Sequence, residues 1–144
     1  MRTIYERIIP LAEAEKDRVS KETAEKKMRY EEEMQKLYQL LVRYETFLKE
    51  QDQIGRIELV DSQYRERARD VVKQQIERQQ LFVTQAKNVY EKAQLALKEA
   101  MIEEKKFTKL QENHFIEVRR ELAIVEQNQL DELSLLHFKR GQTI

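Results

Sequence analysis

Tyr30-Glu31-Glu32-Glu33-Met34-Gln35-Lys36-Leu37-Tyr38-Gln39-Leu40-Leu41-Val42-Arg43-Tyr44-Glu45-Thr46-Phe47-Leu48 is the stretch that decides the fold. Within it Tyr30, Met34, Leu37, Leu41, Tyr44 and Leu48 recur at alternating steps of four and three. That spacing is an a/d seam, by which a helix packs on another helix through knobs into holes. Downstream, Phe82, Ala86, Val89 and Ala93 keep the same rhythm, and so do Phe115, Val118, Leu122 and Val125. Two stretches interrupt it. Between Ala12 and Met28 the only large apolar residue is Val19, and from Lys73 to Gln80 it is Ile76. Both are expected to be weak seams that open more easily than the aromatic stretches.

Composition supports helix throughout. The chain has 144 residues, 38% charged and 40% hydrophobic, with two glycines, one proline and neither Cys nor Trp. So few Gly and Pro cannot punctuate the turns of a sheet or an α/β domain. Disorder competes for so polar a chain, but the regular spacing of its six Tyr and five Phe opposes it. Twenty-seven basic residues balance 27 acidic ones, and division at Gly55 leaves 11 against 12, then 16 against 15. With no basic stripe to neutralise phosphates, nucleic acid is not an expected partner. The absence of Cys removes disulfides and thiolate chemistry and fits the cytosol. Neither a signal peptide nor a membrane span is expected, because no apolar run is long enough.

Three residues can interrupt the helices: Pro10, Gly55 and Gly141. Thr3 and Glu6 have capping-box spacing, so a helix is expected to start at Thr3 and to kink near Pro10. Gly55 offers a helix stop, and Asp61-Ser62 offers caps for a new start. The expected fold is all-α: a long antiparallel two-helix coiled-coil hairpin with a longer C-terminal helix. It forms a single coiled-coil domain over 1–144, with helix 3–52, hinge 53–61 and helix 62–139. Such a hairpin pairs residue i with roughly 114 − i, setting Tyr30 beside Val83 to Gln85 and Tyr44 beside Asp70 to Val71.

The two arms do not match. At a rise of about 1.5 Å per residue, the first helix spans roughly 75 Å and the second about 120 Å. Residues after about 111 then have nothing in the chain to lie against, yet they include Phe115, Val118, Leu122, Val125, Leu130, Leu133 and Leu136. An unpartnered apolar stripe is a partner-binding surface, or it pairs with a second copy of itself. Spacing alone leaves both open, because seam positions do not say whose helix fills them.

Nothing in the sequence points to catalysis, a cofactor or a metal. His114 and His137 lack an i, i+4 partner that would place two ligands on one helical face. Glu31-Glu32-Glu33 and Glu103-Glu104 lie near Lys26, Lys27, Lys105 and Lys106, the pattern of a solvated face. Neither glycine belongs to a phosphate-cradling loop. The tyrosines at 30, 38, 44, 64 and 90 are read as seam packing.

Leu95-Ala96-Leu97-Lys98, Glu104-Lys105-Lys106-Phe107, Leu110-Gln111, Gln127-x-x-Leu130-Asp131-Glu132 and Phe138-x-Arg140 together resemble the flagellar FliJ family. Its members are small coiled-coil components of the flagellar type III export apparatus. The resemblance covers residues 35–140, and no pattern of the family is carried over onto Pro10 and the polar stretch 13–29. It implies a stalk without catalysis of its own, in the cytoplasm and peripherally associated with the inner face of the cell membrane at the flagellar base. It implies that the end with both termini enters the export ATPase ring, which gives Phe115, Val118, Leu122, Val125 and Leu133 to that partner. It implies that the hairpin-turn region contacts the export-gate membrane protein through Leu41 and Tyr44, with Leu37, Leu48 and Phe82 as further candidates. Export chaperones are the third implied partner. A stalk of a virulence-type secretion system or of a rotary ATPase would carry the same fold arguments, and a homodimeric coiled-coil scaffold is the reading from another class.

Overall fold

The computed structural model describes residues 3–53 and 59–142, so the expected pivot at Gly55 lies outside the described residues. Helix α1 is Ile4–Gln53 and helix α2 is Leu59–Gln142. Among the described residues every one but Thr3 is helical, and there is no strand. The two long helices pack against each other antiparallel, as the seam spacing requires.

The helix ends differ in detail from the sequence expectation. The Glu6 amide donates to the Thr3 carbonyl at 3.1 Å, while the buried Thr3 hydroxyl oxygen has no partner. The capping box is therefore not made: the amide that would bond the Thr3 side chain is used by its main chain instead. Helix α1 continues through Pro10, whose ring removes the single donor aimed at the Glu6 carbonyl. Helix α2 already runs from Leu59, so Asp61 lies within its first turn and complements the helix dipole there. Lys139 and Arg140 do the same in the last turn, and the helix passes Gly141 to end at Gln142 rather than at 139.

The chain divides into two compact units, Glu15–Ala100 and Met1–Ala14 with Met101–Ile144. In the first, three contacts fix the register. The Thr23 hydroxyl lies 2.7 Å from the Val19 carbonyl and 3.2 Å from the Ala93 carbonyl of α2. The Gln79 amide nitrogen donates to the Glu33 carbonyl at 2.9 Å and to its carboxylate at 2.5 Å. The Tyr30 and Tyr90 rings stack, with centroids 6.1 Å apart and planes inclined by 6°. Numbers of paired residues thus sum to between 112 and 120, close to the expected 114. Tyr30 meets Tyr90 rather than Val83 to Gln85 because helical side chains lean toward their own N-terminus. In an antiparallel pair two such rings lean toward each other and close a gap of about one turn.

Burial shows which positions form the seam. On α1 in this unit the covered residues are Lys16, Val19, Thr23, Lys26, Tyr30, Glu33, Leu37, Leu40, Tyr44 and Phe47, an unbroken four-three rhythm. On α2 they include Val72, Ile76, Gln79, Val83, Ala86, Tyr90, Ala93, Leu97 and Ala100. Met34, Leu41, Leu48, Phe82 and Val89 fit the rhythm in the sequence but lie one residue off the seam and are exposed. The stretches expected to be weak hold four of the six buried residues among those described, Val19, Thr23, Ile76 and Gln79, and Val72, 3% exposed, lies beside the second of them. Short side chains lie wholly within reach of the one facing helix, and lysine stems at neighbouring positions can close over them. Tyrosines and leucines reach past the seam and stay half-covered, since a two-helix layer has no second wall.

The Gln79–Glu33 contact is directional. Replacing Gln79→Glu sets two carboxylates together and should lower unfolding stability by about 2 kcal/mol. Adding Glu33→Gln restores a donor and should recover at least about 1 kcal/mol in a double-mutant cycle followed by circular dichroism. A double variant no better than Gln79→Glu alone would remove this contact from the register.

Candidate partner-binding surfaces

In the unit formed by Met1–Ala14 with Met101–Ile144, the Tyr5 ring lies 5.7 Å from the His114 ring, inclined by 52°. Phe107, Gln111 and His114 are half-buried there, and every residue from Phe115 to Gly141 is exposed. The uncovered segment therefore begins at 115 rather than 112, because Tyr5 reaches His114. Phe115, Val118, Leu122, Val125, Leu133 and Leu136 are all exposed, Leu133 by 62%. At 100° per residue they occupy the same arc, roughly 100° wide, as Phe107, Gln111 and His114. The face that packs inward up to His114 thus continues outward beyond it. Ile116, Ile124, Leu135 and Phe138 are exposed outside that arc, which seam counting does not reveal. Leu130, Leu133, Ser134, His137 and Phe138 line a shallow concavity near the end of α2.

The second candidate surface lies on the unit Glu15–Ala100. Leu37 and Tyr44 are half-buried seam residues, whereas Leu41 is 44% exposed and Leu48 is exposed with it. Met34, Leu41 and Leu48, seven residues apart, form an apolar flank beside the seam. Phe82, 46% exposed, belongs elsewhere. It borders a groove of about 220 Å³ with Lys26, Arg29, Glu33, Gln85, Ala86 and Val89. Glu33 is some 12 Å along α1 from Leu41, so the structure does not bring Phe82 together with Leu41. Of the tyrosines, Tyr30, Tyr44 and Tyr90 are seam residues, while Tyr38 and Tyr64 are exposed.

Charges form local pairs along the helix surface. The Arg18 guanidinium grips Glu15 with two nitrogens, at 3.1 and 2.5 Å, and reaches Glu22 at 2.7 Å. The hydrogen bond from Arg18 holds the Glu15 carboxyl below the usual carboxylate range. Lys36 lies 3.6 Å from Glu33. These i, i+3 and i, i+4 contacts contribute little individually at such exposure. Among the described residues no group of His, Asp or Glu is arranged to hold a metal ion. No described helix is long and apolar enough to cross a membrane.

No curated protein and no solved structure matches the chain. The family profile described as "Flagellar FliJ protein" does, over residues 2–143. That match spans nearly the whole sequence, including the amino-terminal arm on which the residue-by-residue resemblance was silent. An all-helical antiparallel pair agrees with it. The chain belongs to the flagellar FliJ family and is a component of the flagellar export apparatus.

Proposed function

We propose that the chain is a non-catalytic stalk that joins the export ATPase ring to the export-gate membrane protein and hands on export chaperones. It works in the cytoplasm, peripherally associated with the membrane at the flagellar base. The observation that carries this reading is the continuation of the seam face past His114 with nothing to cover it. Burying a large apolar side chain is worth about 1.5–3 kcal/mol, so Phe115, Val118, Leu122, Val125 and Leu133 together favour a partner strongly. A ring bore with an apolar collar would cover such a stripe in any rotational setting. Arg119, Arg120, Glu121 and Glu126 on the other faces would steer entry without fixing one orientation, because exposed ion pairs are weak. The exposed flank Met34, Leu41 and Leu48, near the end of α1, supports the gate assignment.

Two expectations follow from these assignments. Deleting residues 116–144 spares the Tyr5–His114 contact and should leave the paired helices folded by circular dichroism, while pull-down by the matching export ATPase is lost. Unchanged binding of the truncated chain would move the ATPase contact to the arm around Pro10. On the other surface, Leu41→Ala alone should weaken gate binding severalfold with a stability change within about 0.5 kcal/mol, because Leu41 is off the seam. Tyr44→Ala should also lower stability, by about 1–3 kcal/mol, since it removes seam packing. Equal losses of gate and ATPase binding for Leu41→Ala would argue against a separate gate face.

A further inference from the structure

The uncovered stripe has a symmetry that the inward seam lacks. About Gln129, apolar residues lie at four residues on either side, Val125 and Leu133, and at seven on either side, Leu122 and Leu136. The four-three rhythm is broken there into three, four, four, three. Over 122–136 the stripe reads the same in both directions, as an antiparallel pairing with an identical helix requires, since a two-fold axis maps each position onto its mirror; beyond it Val118 mirrors Arg140. The lengths agree as well. The exposed residues, Phe115 to Gly141, are centred on 128, one residue from Gln129. Two copies aligned on Gln129 overlap along nearly the whole uncovered segment and stop where Tyr5 of α1 begins to cover His114.

From this we infer that the free end of α2 pairs antiparallel with the same segment of a second copy, with the two-fold axis at Gln129. Leu122 then lies against Leu136 of the second copy, and Val125 against Leu133. At 100° per residue these four lie within about 40° of Gln129 around the helix, the positions that a and d occupy in an antiparallel coiled coil. The two Gln129 side chains meet on the axis, where an amide pair sets the register, as single polar residues do in coiled-coil cores. The flanks fit too. Glu121 faces Lys139 of the second copy and Asn128 faces Glu132. One like-charge contact arises, Arg119 beside Arg140 of the second copy, whereas a parallel pairing would set every charge on its own copy, Arg119 on Arg119 and Glu126 on Glu126 among them. If the ring reading above holds, the pair would also cover the stripe that enters the ring, so that the protein waits as a dimer and engages as a monomer. That consequence rests on the ring reading, and the pairing itself does not.

The test uses the full chain without any ATPase, so its outcome is separate from the fate of the ring reading. Sedimentation equilibrium from micromolar to hundreds of micromolar should show a reversible monomer–dimer equilibrium. Val125→Glu and Leu133→Glu should each weaken it at least about tenfold while circular dichroism shows the paired helices intact. Because the chain has no Cys, single-cysteine variants report the geometry directly. Gln129→Cys should form a disulfide-linked dimer under mild oxidation. Leu122→Cys alone should not, because the two copies of residue 122 lie some 21 Å apart, but a mixture of Leu122→Cys with Leu136→Cys should. A chain that stays monomeric over the whole range overturns the inference. So does self-linkage of Leu122→Cys, which demands a parallel pair, or a dimer indifferent to both glutamates.

Discussion

Between two helices the interface is one side chain deep, and that thinness governs the rest of the molecule. Each seam residue has one opposing helix and open flanks, so among the described residues no side chain of any size is fully enclosed. Stability then comes from many half-covered contacts, each worth a fraction of what a globular core position gives. The most deeply covered residues are Val19, Thr23, Val72, Ile76, Gln79 and Ala86. There the polar residues Thr23 and Gln79 can reach carbonyl groups across the gap, and they fix the register in a way that slippery apolar contacts do not.

Much of this was legible in the sequence, and the reasons are physical. The scarcity of Gly and Pro and the four-three rhythm dictate two long helices, and the positions of Gly55 and the seams predict their pairing to within two turns. The phase of the rhythm was not legible from apolar residues alone. Leu40-Leu41, Phe47-Leu48, Phe82-Val83 and Val89-Tyr90 are adjacent apolar pairs, so either member satisfies the spacing. What selects Leu40, Phe47, Val83 and Tyr90 is continuity with Thr23, Lys26, Glu33 and Gln79, polar residues that apolar counting passes over. For the same reason the polar stretches looked weak, although they hold four of the six buried residues among those described.

The candidate surfaces follow from the same two facts. Apolar residues left beside the seam make the flank of Met34, Leu41 and Leu48 and leave Phe82 on a groove with Lys26 and Arg29. The inequality of the helices, 50 residues against 84, leaves the end of α2 uncovered. The sequence announced that inequality, although the aromatic contact of Tyr5 with His114 moves its onset by one turn.

The central claim is that one face of α2 turns inward up to His114 and toward a partner beyond it. Amide hydrogen exchange read by mass spectrometry tests that claim along the whole helix in one measurement. In the dilute, isolated protein, amides of residues 72–114 should exchange slowly and those of 116–141 fast, and adding the export ATPase should slow the second group alone. Uniform protection along α2 in the isolated protein at high dilution, or a fast terminal segment that the ATPase leaves unchanged, would contradict it.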